Sequence, residues 1–434
     1  MITSSAWQGQ RYAVLGLARS GLATARALAS AGAHVVAWDS DPAARERAAE
    51  IDGVIVHDLA ELALDGAAGL VASPGVPLNT HPLAARARDA GVPIIGDIEL
   101  FAQARSELPP HQVVGITGTN GKSTTTALVH HILQGAGVPS LIGGNIGLPI
   151  LAQEPLTPNG LGAGAYVLEL SSYQIDTTQT LDCDVAVLLN ITPDHLDRYD
   201  GFEGYAASKA RLFAMQTPMH QAIVAITDAP SAAIARTLSG RGERLTKIAP
   251  GMCMDQSRWP ALQGPHNAQN ALAAISVCEV LGLSPAQIDA GLETFSGLPH
   301  RMELVATVNG VAYVDDSKAT NPESTAPALA AFDRVHWIVG GKPKSDDLSA
   351  CAPAFGHVVR AYTIGEAGPR FAEVLGPHVL VEEAGTLAAA VASAAGQAKP
   401  GDTVLLSPAC ASFDQFRDYE ERGRAFRDAV GMLA

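Results

Sequence analysis

Residues 113–133 read VVGITGTNGKSTTTALVHHIL, an apolar β-branched run, a glycine-rich turn and then a helical stretch. Gly118 and Gly121 let backbone N–H groups close around phosphate oxygens. The helix start adds partial positive charge, Lys122 a full one, and Ser123 a hydroxyl for magnesium. Thr119, Asn120 and Thr124 complete the loop, which reads as a nucleoside-triphosphate site. Ile116 stands where the strict G-x-x-x-x-G-K-[ST] pattern has its first glycine. The competing reading is an ordinary βα turn that happens to contain Gly-Lys-Ser.

Three further stretches make sense beside a triphosphate. GGNIGLP (143–149) offers Asn145 on a glycine turn, and YVLELSSYQ (166–174) ends a strand with Glu169, a carboxylate suited to a hard magnesium ion. LLNITPDHLDRY (188–199) ends another strand with Asp194, His195 and Asp197. Singly, each such residue is more often a cap or a surface group. Several strands ending this way next to a phosphate loop point to chemistry. Lys209, in the helical YAASKARLF, reads as a solvated lysine when judged without that context.

At the N-terminus, VLGLARSGLATARAL (14–28) has Gly16 and Gly21 in a first βα turn, with Asp39 closing the next strand. Gly16-Leu17-Ala18 lacks the second glycine of a dinucleotide fingerprint, so a structural turn competes with a nucleotide site. A nucleotide would put its phosphate at Ser20 and Gly21 and its ribose or base near Asp39. VASPGVP (71–77), with Ser73, is another loop at the carboxyl edge of that sheet. Further on, VDDSKATNPES (314–324), VGGKPKSDDL (339–348) and LLSPACASFDQFRDYEERG (405–423) place polar residues directly after buried strands.

The elements that must position these groups alternate along the chain. YAVLGL, HVVAWD, QVVGIT, AYVLEL, VAVLLNI, VHWIVGG and DTVLLSP are apolar on both faces, as buried strands of parallel sheets require. Leu22, Ala25 and Ala29 mark the sheet-covering face of the first helix. Ser284-Pro285 starts another helix, and the Ala-rich 387–395 reads as a surface helix. The fold class is α/β in three blocks, 1–105, 106–298 and 299–434, with RSELPPHQ (105–112) as a linker and a second break near SGLPHR.

The chain's 434 residues are 47% hydrophobic and 17% charged, which allows several large cores. With 29 basic and 44 acidic residues the net charge is −15, which argues against nucleic acid as a partner. Cys183, Cys253, Cys278, Cys351 and Cys410 are widely spaced and form no C-x-x-C pair, so reduced thiols fit better than disulfides or zinc. No signal peptide and no apolar run of membrane-spanning length is read, so a soluble cytoplasmic protein is expected.

GITGTNGKST, GGNIGLP, LELSSYQ, NITPDHLDRY, GPHNAQNA, GLPHRME, DDSKATN and SPACASFDQF occur in the order found in the Mur ligase family, which the chain resembles over essentially its whole length. The pairing of DSKATN with SPACASFDQF is similar to the D-glutamate-adding branch, and the D-N-P-[RK] motif of the diaminopimelate- or lysine-adding branch is absent. The resemblance implies a Rossmann-like N-terminal domain, a central P-loop ATPase-type parallel sheet and a Rossmann-like C-terminal domain. It implies a monomeric, ATP- and magnesium-dependent ligase joining D-glutamate to UDP-N-acetylmuramoyl-L-alanine in peptidoglycan synthesis, hence in cell shape and division.

It also implies residue roles. Ser123 serves the magnesium ion on the β- and γ-phosphates, and Glu169, His195 and a carbamylated Lys209 serve a second one. Asn267 and Asn270 contact adenine, while Arg301, Asp316 and Lys318 close over ATP. Arg19, Ser20, Asp39, Ser73 and Asn145 belong to the UDP-substrate site. Thr320, Lys344, Ser412, Phe413 and Tyr419 form the D-glutamate pocket, with tyrosine where the family often has phenylalanine. A nucleoside triphosphatase switch would leave Lys344 and the 407–419 loop idle, and a nicotinamide oxidoreductase would not need Lys122.

Overall fold

The computed structural model describes residues 1–160, 163–194, 197–249, 254–343 and 345–433. They form two compact units, Met1–Met254 with Asn267–Glu293, and Asp255–His266 with Thr294–Ala434.

The first unit holds two parallel sheets. One consists of β1 (Arg11–Leu15), β2 (His34–Trp38), β3 (Val54–Val56), β4 (Gly69–Ala72) and β5 (Ile94–Ile95) in the order β3-β2-β1-β4-β5. Chain order reverses between β1 and β4, so the loops after them, carrying Gly16 and Ser73, share one crevice. The other consists of β6 (His111–Thr117), β7 (Ser140–Gly144), β8 (Gly164–Glu169), β9 (Val185–Leu188), β10 (Gln221–Ala225) and β11 (Leu245–Ile248), ordered β11-β10-β9-β6-β8-β7. Strands β8, β9 and β10 are buried along their full length, as helices on both faces of a parallel sheet demand. Ile116 pairs with Glu169 and Thr117 with Leu188, so β8, β6 and β9 end abreast. That register brings the loops after the three strands to one place.

The first helix, Arg19–Ser30, buries Gly21, Thr24, Ala25 and Leu28, while Leu22 and Ala29 of the expected stripe pack against the core partly buried. Its rotation follows from Gly21, where a Cβ would lie 1.8 Å from the Gly16 carbonyl oxygen, so the bare backbone must face inward. The segment read as a linker is a packed joint. The Glu107 carboxylate accepts hydrogen bonds from the Ser4 hydroxyl (2.5 Å) and the Ser5 amide (2.9 Å), and Arg105 pairs with Asp184 at 3.1 Å. Ile2, Trp7, Phe101, Leu151 and Tyr166 share one apolar core across both sheets. The polarity of 105–112 therefore reflects bonded surface charges, not slack chain.

The second unit contains β12 (Glu303–Val308), β13 (Val311–Asp315), β14 (Val335–Gly340), β15 (Val358–Ile364), β16 (Val381–Gly385) and β17 (Thr403–Leu406), ordered β12-β13-β17-β14-β15-β16. Strand β12, which is not among the strands read from the sequence, runs antiparallel to β13. The cause is local: Asn309 (φ 51°) and Gly310 (φ 78°) form the two-residue turn that Asn-Gly favours between paired strands. The other pairs are parallel, and chain order reverses between β14 and β17. The Ala-rich helix Leu387–Gln397 buries Leu387, Ala390, Val391 and Ala394, so one face covers the sheet. No described helix is long and apolar enough to cross a membrane.

Candidate functional site

The phosphate-type loop runs from the end of β6 into the helix Lys122–Gly135, whose buried residues include Ser123 and Thr124. Its shape is fixed from the next strand over. Asn190, just past β9, accepts the Thr119 amide on its carbonyl (2.9 Å) and the Asn120 amide on its side chain (2.8 Å), and donates back to the Asn120 carbonyl at 3.0 Å. The Thr119 hydroxyl donates to the Thr192 carbonyl (3.1 Å), accepts the Thr192 amide (3.0 Å) and lies 3.2 Å from the Tyr205 hydroxyl. Gly121 has φ +86°, and a Cβ there would meet Asn270 Oδ1 at 2.3 Å, so glycine is required on both counts. Asn270 donates to Asn267 Oδ1 at 3.1 Å, and this buried pair lies against the loop at Gly121. Lys122 Nζ donates to the carbonyls of Gly118 (2.9 Å) and Thr119 (2.8 Å), curled over the loop it would share with phosphate.

Glu169 ends β8 almost wholly buried, and Asn145 binds it twice: its amide donates to the Glu169 carbonyl at 2.9 Å and its side chain to Oε1 at 3.0 Å. Asn145, expected in the UDP site, thus also orients a candidate metal ligand. Lys209 is 1% exposed, on the helix Gly201–Ala214. Its Nζ donates to the Gly118 carbonyl at 2.9 Å and sits 4.7 Å from the Tyr205 ring centre. Burial, then the charge of Lys122, holds its pKa well below the ordinary lysine value, while Asp194, Asp176 and Glu169 pull the other way. The surface-lysine alternative is excluded. His195 lies outside the described residues.

In the first sheet the Ser73 hydroxyl donates to the Gly16 carbonyl at 2.8 Å, joining the two crevice loops. Asp39 accepts the amides of Leu17 (2.6 Å) and Asp41 (2.9 Å), so its carboxylate shapes the βα turn. Exposed Arg19 donates to the Gly147 carbonyl at 2.9 Å, tying the helix start, with half-buried Ser20, to the loop of Asn145. Sequence reasoning missed Arg198, which donates to the carbonyls of Val76 and Gly75 at 3.0 Å each and stacks on Tyr173. Asn79 adds a 3.0 Å bond to the Asp197 carbonyl. A cavity of about 470 Å³ opens here, lined by Ser73, Asn79, Tyr173, Arg198 and Tyr199 among others.

In the second unit, Arg301 is flanked by His300 (φ 61°) and Met302 (φ 50°), both in the left-handed region that costs a non-glycine residue energy. Its buried Nε has no hydrogen-bond partner among the described residues, which suits a guanidinium meant for an added anion. Asp316 is buried and its pKa is pushed up to about 7 by that burial, although the Ser407 hydroxyl (2.7 Å), Arg301 and the Met302 amide (3.2 Å) favour the charge. Lys318 Nζ lies 5.5 Å from the Tyr419 ring, and the Lys318 amide bonds the His300 carbonyl at 3.0 Å. Thr320 is half-buried and Ser412 buried, but Phe413 is 69% exposed. Lys344 lies outside the described residues. His300, Glu303 and Asp315 cluster closely enough for a metal, yet their atoms already serve each other and Arg427, so the group reads as a strut.

The arrangement in the first unit, a glycine loop with two lysines and a buried carboxylate at the next strand end, fits a magnesium-assisted phosphoryl site. Residues 10–96 match the Mur ligase MurD-like N-terminal domain, 116–252 the Mur ligase middle domain and 300–410 the Mur ligase glutamate ligase domain. The chain belongs to the Mur ligase family.

Among its relatives, UDP-N-acetylmuramoylalanine--D-glutamate ligase of Sphingopyxis alaskensis is 62% identical, with 100% of both chains covered. The proteins of that name from Novosphingobium aromaticivorans (59%; 100% of this chain, 97% of the relative) and Zymomonas mobilis (54%; 100% of both) follow. In fold, the chain is similar to the UDP-N-acetylmuramate-alanine ligase MurC of Thermotoga maritima, with a TM-score of 0.59, 18% identity and coverage of 98% and 100%. It is also similar to E. coli FolC in complex with DHPP and ADP, with a TM-score of 0.57, 19% identity and coverage of 78% and 94%.

Proposed function

We propose that this Mur ligase adds D-glutamate to UDP-N-acetylmuramoyl-L-alanine at the expense of ATP, as a cytoplasmic monomer in peptidoglycan precursor synthesis. Residues 1–105 bind the UDP-substrate, 106–298 ATP, and 299–434 the amino acid. The observation that carries the reading is Lys209, buried 2.9 Å from the Gly118 carbonyl beside Lys122. The names of relatives at 54–62% identity support the substrates.

A carboxylate oxygen of the alanyl group attacks the γ-phosphorus of ATP; an acyl phosphate forms and ADP leaves. The two reactants are both anionic, so Lys122 and the N–H groups of the loop draw off charge. Magnesium, when bound through Ser123, Glu169, His195 and the carbamate of Lys209, would supply the remaining positive charge. The residues fit it: Glu169 and Ser123 are buried donors at the loop. The depressed pKa of Lys209 favours the neutral form of the amine, the form that takes up carbon dioxide to become an anionic oxygen ligand. The amine of D-glutamate then attacks the acyl carbon, a tetrahedral intermediate collapses, and phosphate leaves. A phosphate oxygen takes the amine proton. Lys344 and Ser412 serve the carboxylates of D-glutamate, and Arg301, Asp316 and Lys318 meet ATP.

Phosphate release from ATP and magnesium tests this directly. It should require both the UDP-sugar and D-glutamate; release without either would mark a triphosphatase switch instead.

A further inference from the structure

We propose that Arg422 is a positioning residue for the amino-acid acceptor, one buried guanidinium that sets the register of the loops after β13, β14 and β17. The inference rests on the D-glutamate reading above.

Arg422 is 1% exposed, on the helix Tyr419–Gly431. Its Nε donates to the Ser317 hydroxyl (3.0 Å), one terminal nitrogen to the carbonyls of Ser317 (2.8 Å) and Cys410 (3.0 Å), and the other to the Ala411 carbonyl at 3.2 Å. Ser317 lies between Asp316 and Lys318, and Cys410 and Ala411 lead into Ser412. Ala411 in turn exchanges two backbone hydrogen bonds with Lys342, at 2.9 and 3.0 Å, in the loop after β14. A Cβ on Gly341 would come within 3.0 Å of the guanidinium, so that loop is seated against it. The Ser317 hydroxyl also donates to the Tyr419 carbonyl at 2.8 Å, which adds the helix start to the same network.

A guanidinium in this place is a costly way to fill a core. Burial lowers its pKa to about 10, and its hydrogen bonds go to a hydroxyl and to carbonyls. An apolar side chain of similar volume would serve stability as well, whereas a planar fork can hold two loop backbones at fixed spacing, with the third tied to them through Ala411. The helix is seated close here, because Gly423 packs where a Cβ would lie 2.0 Å from His300 Nδ1. The loop after β13 carries Thr320 and the loop after β17 carries Ser412, both assigned above to the acceptor.

The test is steady-state kinetics on Arg422→Met, Arg422→Lys and Arg422→Ala, with each substrate varied in turn. Arg422→Met should raise KM for D-glutamate by about tenfold or more while KM for the UDP-sugar stays within about twofold. Arg422→Lys should fall between the two, since an ammonium donates without the fork. Guanidinium ion at millimolar concentration should partly restore D-glutamate use to Arg422→Ala, and urea should not. Equal losses for all substrates, absence of guanidinium rescue, or variants that lose UDP-sugar binding with their cooperative unfolding would overturn the proposal. Wild-type protein that ignores D-glutamate would overturn the functional reading itself, and this inference with it.

Discussion

Replacing Lys209 with methionine should stabilise the ligand-free protein while removing its activity. The substitution keeps the buried stem and deletes the amine. What is lost is a hydrogen bond to the Gly118 carbonyl, worth about 1 kcal/mol, and that carbonyl keeps Lys122 as a donor. What is gained is relief from holding a charge in a buried place, and each pKa unit of depression corresponds to about 1.4 kcal/mol. The attraction to Asp194, Asp176 and Glu169 is already contained in that depression, so anything beyond one unit makes the net change favourable.

The sign has a pH signature. The unfolded chain binds the Lys209 proton up to its ordinary value of 10.5 and the folded protein releases it earlier, so wild-type stability gains on the variant as pH rises between the two. The variant's advantage should be widest below the folded-state pKa and vanish near 10.5. Thermal unfolding in carbon-dioxide-free buffer reads this as a rise of roughly 2–4 °C per kcal/mol. Ligation should fall by about a hundredfold or more, and a short carboxylic acid should restore part of it to Lys209→Ala by replacing the carbamate oxygens. A methionine variant that is less stable at every pH, or that ligates at the wild-type rate, would refute the reasoning.

Lys122→Ala should cost about a hundredfold or more in rate with circular dichroism unchanged, because a preorganised charge is lost where charge develops; full activity in the folded variant would remove the phosphate-loop assignment. Gly121→Ala should raise KM for ATP and lower stability by about 1–3 kcal/mol, from the strained φ of +86° and the clash with Asn270, which calorimetry and kinetics measure together. Asp316→Asn should stabilise the free protein relative to wild type by an amount that grows as pH rises from the ordinary carboxylate range to about 7 and then levels, since burial raises that carboxyl's pKa. A flat difference across that range in thermal unfolding would show that Asp316 is not protonated in the way its burial requires.

Much of the fold was legible because buried parallel strands leave continuous apolar runs. The phosphate loop was legible because glycines between a strand and a helix start expose backbone N–H groups to an anion. Glu169 could be named because it stands where its strand stops. The residues that escaped act across the chain. Asn190 clasps a loop 70 residues away, Arg198 reaches Gly75, and Arg422 reaches Ser317 from 105 residues off. All three stand in stretches quoted above for their polar residues, but nothing local separates them from a solvated asparagine or arginine. The β12–β13 hairpin did carry a signal, Asn309-Gly310 between two β-branched runs, which the alternation of strands and helices overshadowed. Asp39 was named for a ribose, yet its carboxylate is taken up by the amides of Leu17 and Asp41, a role that period and spacing do not distinguish.

The functional reading stands most directly on what the amine substrate is. Purified protein incubated with ATP, magnesium and UDP-N-acetylmuramoyl-L-alanine should yield, with D-glutamate, a product heavier than the UDP-substrate by one glutamyl residue, alongside stoichiometric ADP and phosphate. The same mixture with L-glutamate should leave the UDP-substrate's mass unchanged. Product from L-glutamate alone, or ADP formed with no change in that mass under either enantiomer, would contradict the assignment.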